Sequence, residues 1–222
     1  MKKITQLNKG GNIYVVLGDV GSGKTSLALS HKGKTVLFSF DASYSSLAGH
    51  EDHVTVYEPD LNDYANPDKF IEEVGKLTNG ADLVVFDNLS ALQNTVTEGL
   101  TDGKIGNNKN GMAAYGYVQK FLHRVSDWAL KFDGDVLFTL WSAKKIGSDD
   151  KTLIEPDMND KAFNMIGGFA KLVSRTQVGF DGYEVVMNPD GRGVIKNRLA
   201  DKITKPTLPS DQYWKAVEYA NK

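Results

Sequence analysis

Residues 18–25 read GDVGSGKT and follow the run Ile13–Leu17, which predicts a buried strand that leads into a glycine-rich turn. A helix is predicted to start at Lys24–Ser30. The turn matches G-x-x-x-x-G-K-[ST] at every fixed position and lies between the strand and the helix that this motif requires. Glycines let several backbone N–H groups point at phosphate oxygens, and the start of the helix adds its dipole. The stretch therefore predicts a site for ATP.

The chemistry of this loop assigns a role to its last residues. Lys24 is expected to reach the β- and γ-phosphates, and the hydroxyl of Thr25 is expected to bind Mg²⁺. The residues expected to contact the phosphates are Gly18, Asp19, Val20, Gly21, Ser22, Gly23, Lys24, Thr25 and Ser26.

A second candidate ligand for the metal follows another buried strand. Leu83–Phe86 reads LVVF and is followed by Asp87, which predicts a carboxylate at the C-terminal edge of a parallel sheet, where ligands bind in open α/β folds. We assign Asp87 to Mg²⁺, partly through water. Asn88 comes next. ATPases of the AAA+ type usually carry an acidic pair at this point, so Asn88 disfavours that branch or implies that the general base lies elsewhere.

The remaining elements predict one α/β domain over residues 1–222, with a core of about residues 11–200. Strands are predicted at Val36–Phe40, Val54–Tyr57 and Val136–Trp141, and helices at Pro67–Leu77 and Tyr115–Phe132. Strands that alternate with helices predict a mainly parallel sheet with helices on both faces.

The C-terminal part has a different pattern. Leu172–Phe180, Tyr183–Asn188 and Val194–Lys196 follow one another closely with glycine turns between them, which predicts an antiparallel extension of the sheet. Ser210 is expected to cap a last short helix that ends near Ala220.

Two polar stretches are predicted to be long loops. They are Thr95–Met112, which reads TVTEGLTDGKIGNNKNGM, and Lys144–Lys161. Loops of this length inside a compact domain are usually functional or disordered.

Composition narrows the class of protein. The chain has 222 residues, 41% of them hydrophobic, and no cysteine, which excludes disulfides, thiolate catalysis and cysteine-bound zinc. His50 and His53 have no third ligand at metal spacing. No apolar run has the length of a membrane span, so we expect a cytoplasmic protein without a membrane partner.

Charge is unevenly distributed along the chain, although the net charge is only −2. Asp41–Asp102 contains 13 acidic and 2 basic residues, whereas Gly103–Lys145 and Lys161–Lys205 each have a balance of +4. This distribution indicates either an acidic face and a basic face or ordinary solvated surface.

Four stretches resemble the RecA-type recombinases and the RecA-fold hexameric helicases. They are FDAS at Phe40–Ser43, VVFDNLSAL at Val84–Leu92, VLFTLWSA at Val136–Ala143 and IKNR at Ile195–Arg198. In size and plan the chain is similar to the small single-domain RecA-like ATPases of bacteriophages that assist single-strand annealing and recombination. The resemblance covers about residues 11–200.

The resemblance implies further catalytic residues and an oligomer. Lys196 and Arg198 would reach the γ-phosphate held by the neighbouring subunit of a ring or filament, where a cation stabilises developing charge. In the family, the strand that corresponds to Val136–Ala143 ends in a polar residue called the sensor, and Ser142 is the candidate for it in this chain. The chain departs from the family at the second strand, which ends in Asp41 and Ser43 without the catalytic glutamate, so Asp41 is the candidate general base.

The resemblance also implies contact with single-stranded DNA through two loops. One follows the stretch Val84–Leu92, which resembles the family's Walker B strand, and the other follows Val136–Ala143, which lies where the family has its sensor strand. The candidate DNA-contacting residues are Lys104, Lys109, Lys144 and Lys145. Tyr115 and Tyr117 either offer stacking surfaces for bases or pack within their helix. Acidic residues in the second loop, including Asp149 and Asp150, oppose DNA binding there.

The leading hypothesis is an ATP-hydrolysing RecA-like protein that acts on single-stranded DNA in phage recombination, repair or replication, in the bacterial host cytoplasm. Single-strand-binding or recombination proteins are its expected partners. One alternative is a small-molecule or nucleotide kinase, which the scarcity of arginines before Arg175 disfavours. The other is a nucleotide-gated DNA-binding module with little hydrolysis.

Overall fold

The computed structural model of the chain describes residues 12–105, 111–147 and 150–222. Within these ranges the chain forms a ten-stranded sheet. The strands are β1 (Asn12–Gly18), β2 (Thr35–Ser39), β3 (Val54–Tyr57), β4 (Leu83–Asp87), β5 (Asp135–Ile146), β6 (Thr152–Pro156), β7 (Leu172–Gly179), β8 (Gly182–Val186), β9 (Lys196–Asn197) and β10 (Thr207–Pro209).

Helices connect and cover these strands. The α-helices are α1 (Leu61–Tyr64), α2 (Pro67–Leu77), α3 (Leu89–Thr101), α4 (Gly111–Ala129), α5 (Asp160–Gly167) and α6 (Tyr213–Asn221). Short 3₁₀ helices occupy Thr25–Ser30, Tyr44–Leu47 and Ser210–Gln212. None of the helices in the described ranges is both long and apolar enough to cross a membrane.

Eight of the ten strands follow one another across the sheet in the order β10-β8-β7-β1-β5-β4-β2-β3. The other two, β6 and β9, pair with β5 and β7 respectively. The six strands from β7 to β3 run parallel to one another, while β8, β9 and β10 are antiparallel to their neighbours. The prediction of a mainly parallel sheet with an antiparallel C-terminal extension is therefore confirmed. β1 and β4 both end at the same edge, and β5 lies between them.

Side chains of the parallel strands alternate between two apolar layers. On β1, Ile13, Val15 and Leu17 face the layer covered by α2, α3, α4 and α5, whereas Tyr14 and Val16 face the layer under the 3₁₀ helix at 25–30 and α6. This alternation follows from the period of two in a strand, and both layers are apolar because both faces of the sheet are covered. The prediction of helices on both faces is confirmed.

The prediction of a loop over Thr95–Met112 is wrong at both ends. α3 continues to Thr101 and α4 already begins at Gly111. Leu92, Val96 and Leu100 are buried on one face of α3, and this packing outweighs the poor helix propensity of the threonines and glycine nearby.

Lys144–Lys161 is likewise not a loop. β5 continues to Ile146 and pairs in antiparallel register with β6, so most of this stretch is a β-hairpin. The side chain of Asn159 then accepts hydrogen bonds from the amides of Lys161 and Ala162 and caps α5.

The C-terminal helix also starts differently from the prediction. Ser210 lies in a 3₁₀ turn and its side chain makes no capping hydrogen bond, and α6 begins three residues later at Tyr213. The indole Nε1 of Trp214 donates a 2.8 Å hydrogen bond to the carbonyl of Leu27, which joins α6 to the 3₁₀ helix after β1.

A buried ion pair fixes the loop after β8 to the parallel sheet. The Arg175 guanidinium on β7 is 5% exposed and donates to Asp190 Oδ2 at 2.6 Å. Partial burial raises the pKa of Asp190, but hydrogen bonds from Arg175 and from the amide of Arg192 outweigh it and hold this pKa below its usual value. Removing the carboxylate would leave a buried cation without a partner.

We therefore expect Asp190→Asn to lower the free energy of unfolding at pH 7 by about 2 kcal/mol, less than for a fully buried pair because Asp190 is partly exposed. The pKa of Asp190 is lower in the folded state than in the unfolded state. The stabilisation that its ion pair with Arg175 provides is therefore complete above the unfolded pKa of about 3.9 and is lost as pH falls below it. Urea titrations between pH 7 and pH 3 measure this difference. Asp201→Asn at an exposed position is the control. Equal midpoints for wild type and Asp190→Asn at pH 7 would contradict the expectation.

Candidate functional site

The loop after β1 has the backbone of a phosphate cradle. Gly21 and Gly23 have φ values of 74° and 88°, in the left-handed region that glycine adopts without strain. The amide of Ser22 donates to the carbonyl of Asp19 at 3.2 Å, which closes the turn. Gly21 and Gly23 are therefore required by the backbone conformation.

β7 supports this loop from below. The hydroxyls of Ser22 and Thr176 are 2.7 Å apart and hydrogen bonded, and both are buried. A Cβ on Gly18 would lie 2.1 Å from the Thr176 hydroxyl, so the loop approaches β7 too closely for any side chain at this position. The sequence shows no signal for Thr176, which lies 158 residues beyond Gly18 in the chain.

Lys24 lies inside the loop. Its Nζ donates to the carbonyls of Gly18 at 3.0 Å and Asp19 at 2.8 Å. Burial lowers the pKa of Lys24, while the negative charges of Asp87 and Asp41 oppose this shift. In the described part of the chain, the hydrogen-bond acceptors of this ammonium are these two neutral carbonyls, and phosphate oxygens would be stronger acceptors.

Thr25 and Asp87, the predicted metal ligands, lie next to each other. The Thr25 hydroxyl donates to Asp87 Oδ2 at 2.6 Å, and the Thr139 hydroxyl donates to Asp87 Oδ1. Asp87 is 1% exposed, and its burial raises its pKa in spite of these two donors. A hydroxyl oxygen and a carboxylate oxygen side by side are ligands that Mg²⁺ prefers, so the residues fit this metal.

Asn88 holds Asp41 beside this pair. Asn88 Nδ2 donates to Asp41 Oδ2 at 3.1 Å, and Asn88 Oδ1 accepts from the amide of Ala91, which caps α3. The amide of Ser43 donates to the other Asp41 oxygen at 3.1 Å. Asn88 thus fixes the orientation of a carboxylate that lines the same cleft as Lys24 and Thr25.

The end of β5 contacts the loop directly. The Ser142 hydroxyl donates to Asp19 Oδ1, and Lys144 Nζ lies 3.8 Å from Asp19 Oδ2. Ser142, predicted as a sensor, is therefore adjacent to the phosphate cradle through Asp19.

Lys196 and Arg198 lie elsewhere in the same chain. Lys196 Nζ donates to the carbonyls of Gly167 at 2.8 Å and Gly168 at 2.9 Å, and Arg198 Nη2 donates to Gly168 at 3.1 Å. They satisfy carbonyls at the C-terminal end of α5 that the helix itself leaves unpaired. The structure does not bring them to the cradle of their own chain, so a role in hydrolysis requires a neighbouring subunit.

The predicted DNA-contacting lysines are in different surroundings. Lys104 Nζ is 3.1 Å from Asp102 Oδ2, and Lys145 Nζ is 3.4 Å from Glu155 Oε2, both on exposed surface. Lys109 lies outside the described residues.

The two tyrosines of α4 have different environments. The Tyr117 hydroxyl donates to the carbonyl of Tyr64 at 2.8 Å, which favours a packing role. Tyr115 is 50% exposed.

The cleft above the cradle has a volume of about 220 Å³. The residues that line it are Val20, Gly21, Gly23, Lys24, Thr25, Ser26, Asp41, Ser43, Ser46, Trp141 and Tyr183. Thr139 and Tyr183 were not predicted from the sequence. Thr139 had a signal, because it is a polar residue within the apolar run Val136–Trp141, whereas nothing in the sequence connects Tyr183 with the loop.

Residues 11–199 match the family model of the AAA domain, which covers most of the chain. The chain therefore belongs to this family. Together with the observed sheet, the match confirms the expected RecA-like P-loop ATPase. Asn88, which was expected to disfavour an AAA-type ATPase, does not exclude the chain from this family. The connection with bacteriophages stays a prediction.

No sequence among the curated proteins matches the chain. Among solved structures, a KaiC-like protein from the hyperthermophilic archaeon Pyrococcus horikoshii is similar, with 13% identity and a TM-score of 0.47. The similarity covers 81% of this chain and 79% of the archaeal protein.

The hydrogen bond from the Thr139 hydroxyl to Asp87 orients the carboxylate that is the candidate Mg²⁺ ligand. Thr139→Val keeps the shape but removes the donor, and loss of a residue that orients a metal ligand typically costs 10–100-fold in affinity or activity. We expect the Mg²⁺ concentration for half-maximal nucleotide binding to rise at least about tenfold. Fluorescent-nucleotide titrations at varied Mg²⁺ measure it. Thr139→Ser, which keeps the hydroxyl, is the control, and an unchanged Mg²⁺ requirement in Thr139→Val would refute this role.

Proposed function

We propose that this protein hydrolyses ATP with Mg²⁺ and couples hydrolysis to single-stranded DNA, as an oligomer with ATP bound between subunits. The observation that carries the proposal is the contact of Asp19 in the phosphate cradle with Ser142 and Lys144 on β5. This contact links the nucleotide site to a cleft, called the basic cleft below, whose lining includes Lys144, Lys151 and Arg192. We place the activity in phage recombination, repair or replication in the host cytoplasm, on the resemblance stated above.

The chain supplies a residue for each part of hydrolysis. Lys24 would neutralise charge on the terminal phosphates, and Thr25 and Asp87 would hold Mg²⁺, which would supply further charge neutralisation. Asp41, fixed by Asn88, is positioned to orient the attacking water.

The basic cleft lies between the β5–β6 hairpin and the loop before β9. It has a volume of about 410 Å³ and is lined by Lys144, Lys151, Thr152, Ile154, Gly191 and Arg192. Among the residues of the cleft that the structure describes, three are cations and none is acidic. Such a cleft favours the phosphate groups of a nucleic-acid backbone, which release counterions when lysine and arginine neutralise them.

Lys144 is the residue that joins the two sites. Its ammonium lies near Asp19 on one side and lines the basic cleft on the other. A DNA phosphate and the Asp19 carboxylate would attract the same cation, so occupation of the cleft changes the charge balance next to the phosphate cradle. This provides a physical route for DNA to alter hydrolysis.

We expect single-stranded DNA to stimulate ATP turnover, and Lys144→Ala and Arg192→Ala to reduce the stimulation while Lys24→Ala abolishes turnover. Each cleft variant should also reduce the dependence of DNA affinity on salt, by about one unit in the log–log slope. Steady-state turnover and DNA binding at several salt concentrations measure these effects.

Lys76→Ala is the matched control, because Lys76 is exposed on α2 in a surface pair with Glu73. Turnover that no nucleic acid changes would count against the DNA part of the proposal. Tight ATP binding without any turnover would instead favour a nucleotide-gated binding module.

The positions of the charged segments support a head-to-tail oligomer. The acidic segment Asp41–Asp102 includes β3 at one edge of the sheet, and the basic segment Lys161–Lys205 includes β7, β8 and β9 towards the other edge. A subunit whose acidic segment meets the basic segment of its neighbour would form a heterologous interface, which a head-to-tail oligomer requires. Such an arrangement supports donation of Lys196 and Arg198 from a neighbour.

A mixing experiment tests donation in trans. We expect Lys24→Ala and Arg198→Ala each to be inactive alone, and their mixture to recover part of the wild-type turnover because some interfaces pair an intact cradle with an intact arginine. Arg198→Lys keeps the positive charge near α5 and serves as the control for folding, together with thermal melting of every variant. If the mixture is no more active than the separate variants, Arg198 does not act across an interface.

A further inference from the structure

His31 follows the 3₁₀ helix at 25–30 and lies at the edge of the sheet opposite the phosphate cradle, where β1 and β5 begin. Its side chain is only 12% exposed, and its Nε2 lies 3.4 Å from Oδ2 of Asp135, the first residue of β5. The ring packs edge-on against Trp214 of α6, with the two ring centroids 4.9 Å apart. The imidazole therefore lies where the 3₁₀ helix, β5 and α6 meet.

The backbone of Gly33 uses the other nitrogen of this ring. The Gly33 amide donates a hydrogen bond to His31 Nδ1 at 3.1 Å. Because Nδ1 accepts this bond, the proton of the neutral ring is on Nε2, towards Asp135. Both nitrogens of a protonated imidazole are donors, so only the neutral ring can hold Gly33 in this way.

The corner that this hydrogen bond closes joins two elements that lead to the nucleotide site. The 3₁₀ helix before it starts at Thr25, and β2 after it leads to Asp41. The corner is tightly packed, because a Cβ on Gly33 would lie 2.4 Å from Cβ of Asp82, and the amide of Lys34 donates to Asp82 Oδ2 at 2.8 Å. A displacement of the corner therefore involves both elements.

His31 lines an open cavity of about 630 Å³, which gives protons access to the ring. In the described part of the chain, the charged residues that line this cavity with it are Lys32, Asp82, Asp135, Asp211, Lys215, Glu218 and Lys222. The three lysines oppose a positive charge on the ring and the four carboxylates favour it. Asn12 Nδ2 donates to Asp135 Oδ1 at 2.8 Å and holds this carboxylate in place to pair with a protonated ring.

We propose that His31 is a pH-sensitive latch at this corner. The neutral ring holds the Gly33 amide, whereas a proton on Nδ1 removes the acceptor and strengthens the attraction between the ring and Asp135. Histidine is the side chain that ordinarily changes its charge between pH 5 and 8, so acidification within this range releases Gly33. The latch itself goes beyond the proposed function, and only its effect on the nucleotide rests on that function.

Hydrogen exchange of the Gly33 amide tests the latch, measured in the full chain at pH 8 and pH 5.5 and divided by the intrinsic rate at each pH. Wild type is expected to lose protection about fivefold at pH 5.5, which corresponds to one hydrogen bond. In His31→Asn the side-chain oxygen can accept from the amide two residues further on but does not titrate, so protection should be equal at both pH values. His123→Asn is the matched control and should behave like wild type, because His123 is exposed on α4 beside Asp127.

Two further measurements follow the consequences of protonation. Asp135→Asn keeps the size of the side chain but removes the charge that attracts the protonated ring, so release of Gly33 should require a lower pH than in wild type. At pH 8, wild type and His31→Asn should bind ATP with Mg²⁺ equally well, and at pH 5.5 wild type should bind it more weakly. Protonation of ATP itself affects both proteins alike and cancels in this comparison.

Constant protection of Gly33 in wild type, or an equal loss in His31→Asn, would overturn the latch. Release at the same pH in Asp135→Asn would contradict the pairing with Asp135. Loss of protection without any difference in ATP affinity would contradict the effect on the nucleotide site. If neither protein binds ATP with Mg²⁺, the proposed function fails, while the exchange of the Gly33 amide still decides whether the latch exists.

Discussion

The hydrogen bond from the Thr25 hydroxyl to the buried Asp87 carboxylate is the interaction on which the site depends. It joins the loop after β1 to the end of β4, although β5 separates these two strands in the sheet. The carboxylate can remain in this buried position because Thr139, on the intervening strand, donates to its other oxygen. Two adjacent parallel strands, β4 and β5, and the 3₁₀ helix that follows the loop after β1 thus contribute one side chain each to the candidate metal site.

The parts of the molecule that could be predicted from the sequence are those encoded by short stretches. The loop at 18–25 has its glycines, lysine and threonine at fixed spacing, and Asp87 follows its apolar strand immediately. Each pattern is confined to fewer than ten residues, and the rule that parallel strands end at one edge of the sheet brings them together. The fold class follows from the same alternation of strands and helices.

The parts that could not be predicted depend on contacts between distant residues. The last two turns of α3 form because Val96 and Leu100 pack into the core, and no local propensity predicts this burial. Thr176 and Tyr183 reach the phosphate cradle because β8 pairs with β7, as the antiparallel extension predicts, and because β7 lies beside β1, a neighbour that the sequence does not specify. Site residues contributed by neighbouring strands late in the chain therefore require the structure.

The length of β5 has a mechanical consequence. This single strand carries Thr139 against Asp87, Ser142 against Asp19, and Lys144 at the rim of the basic cleft. The first and last of these residues are five positions apart, a distance of roughly 17 Å along an extended chain. Because a paired strand resists stretching, a shift of β5 at the metal site displaces its outer end by a comparable amount. A displacement at one end of this paired segment would therefore reach its other end without an intervening hinge.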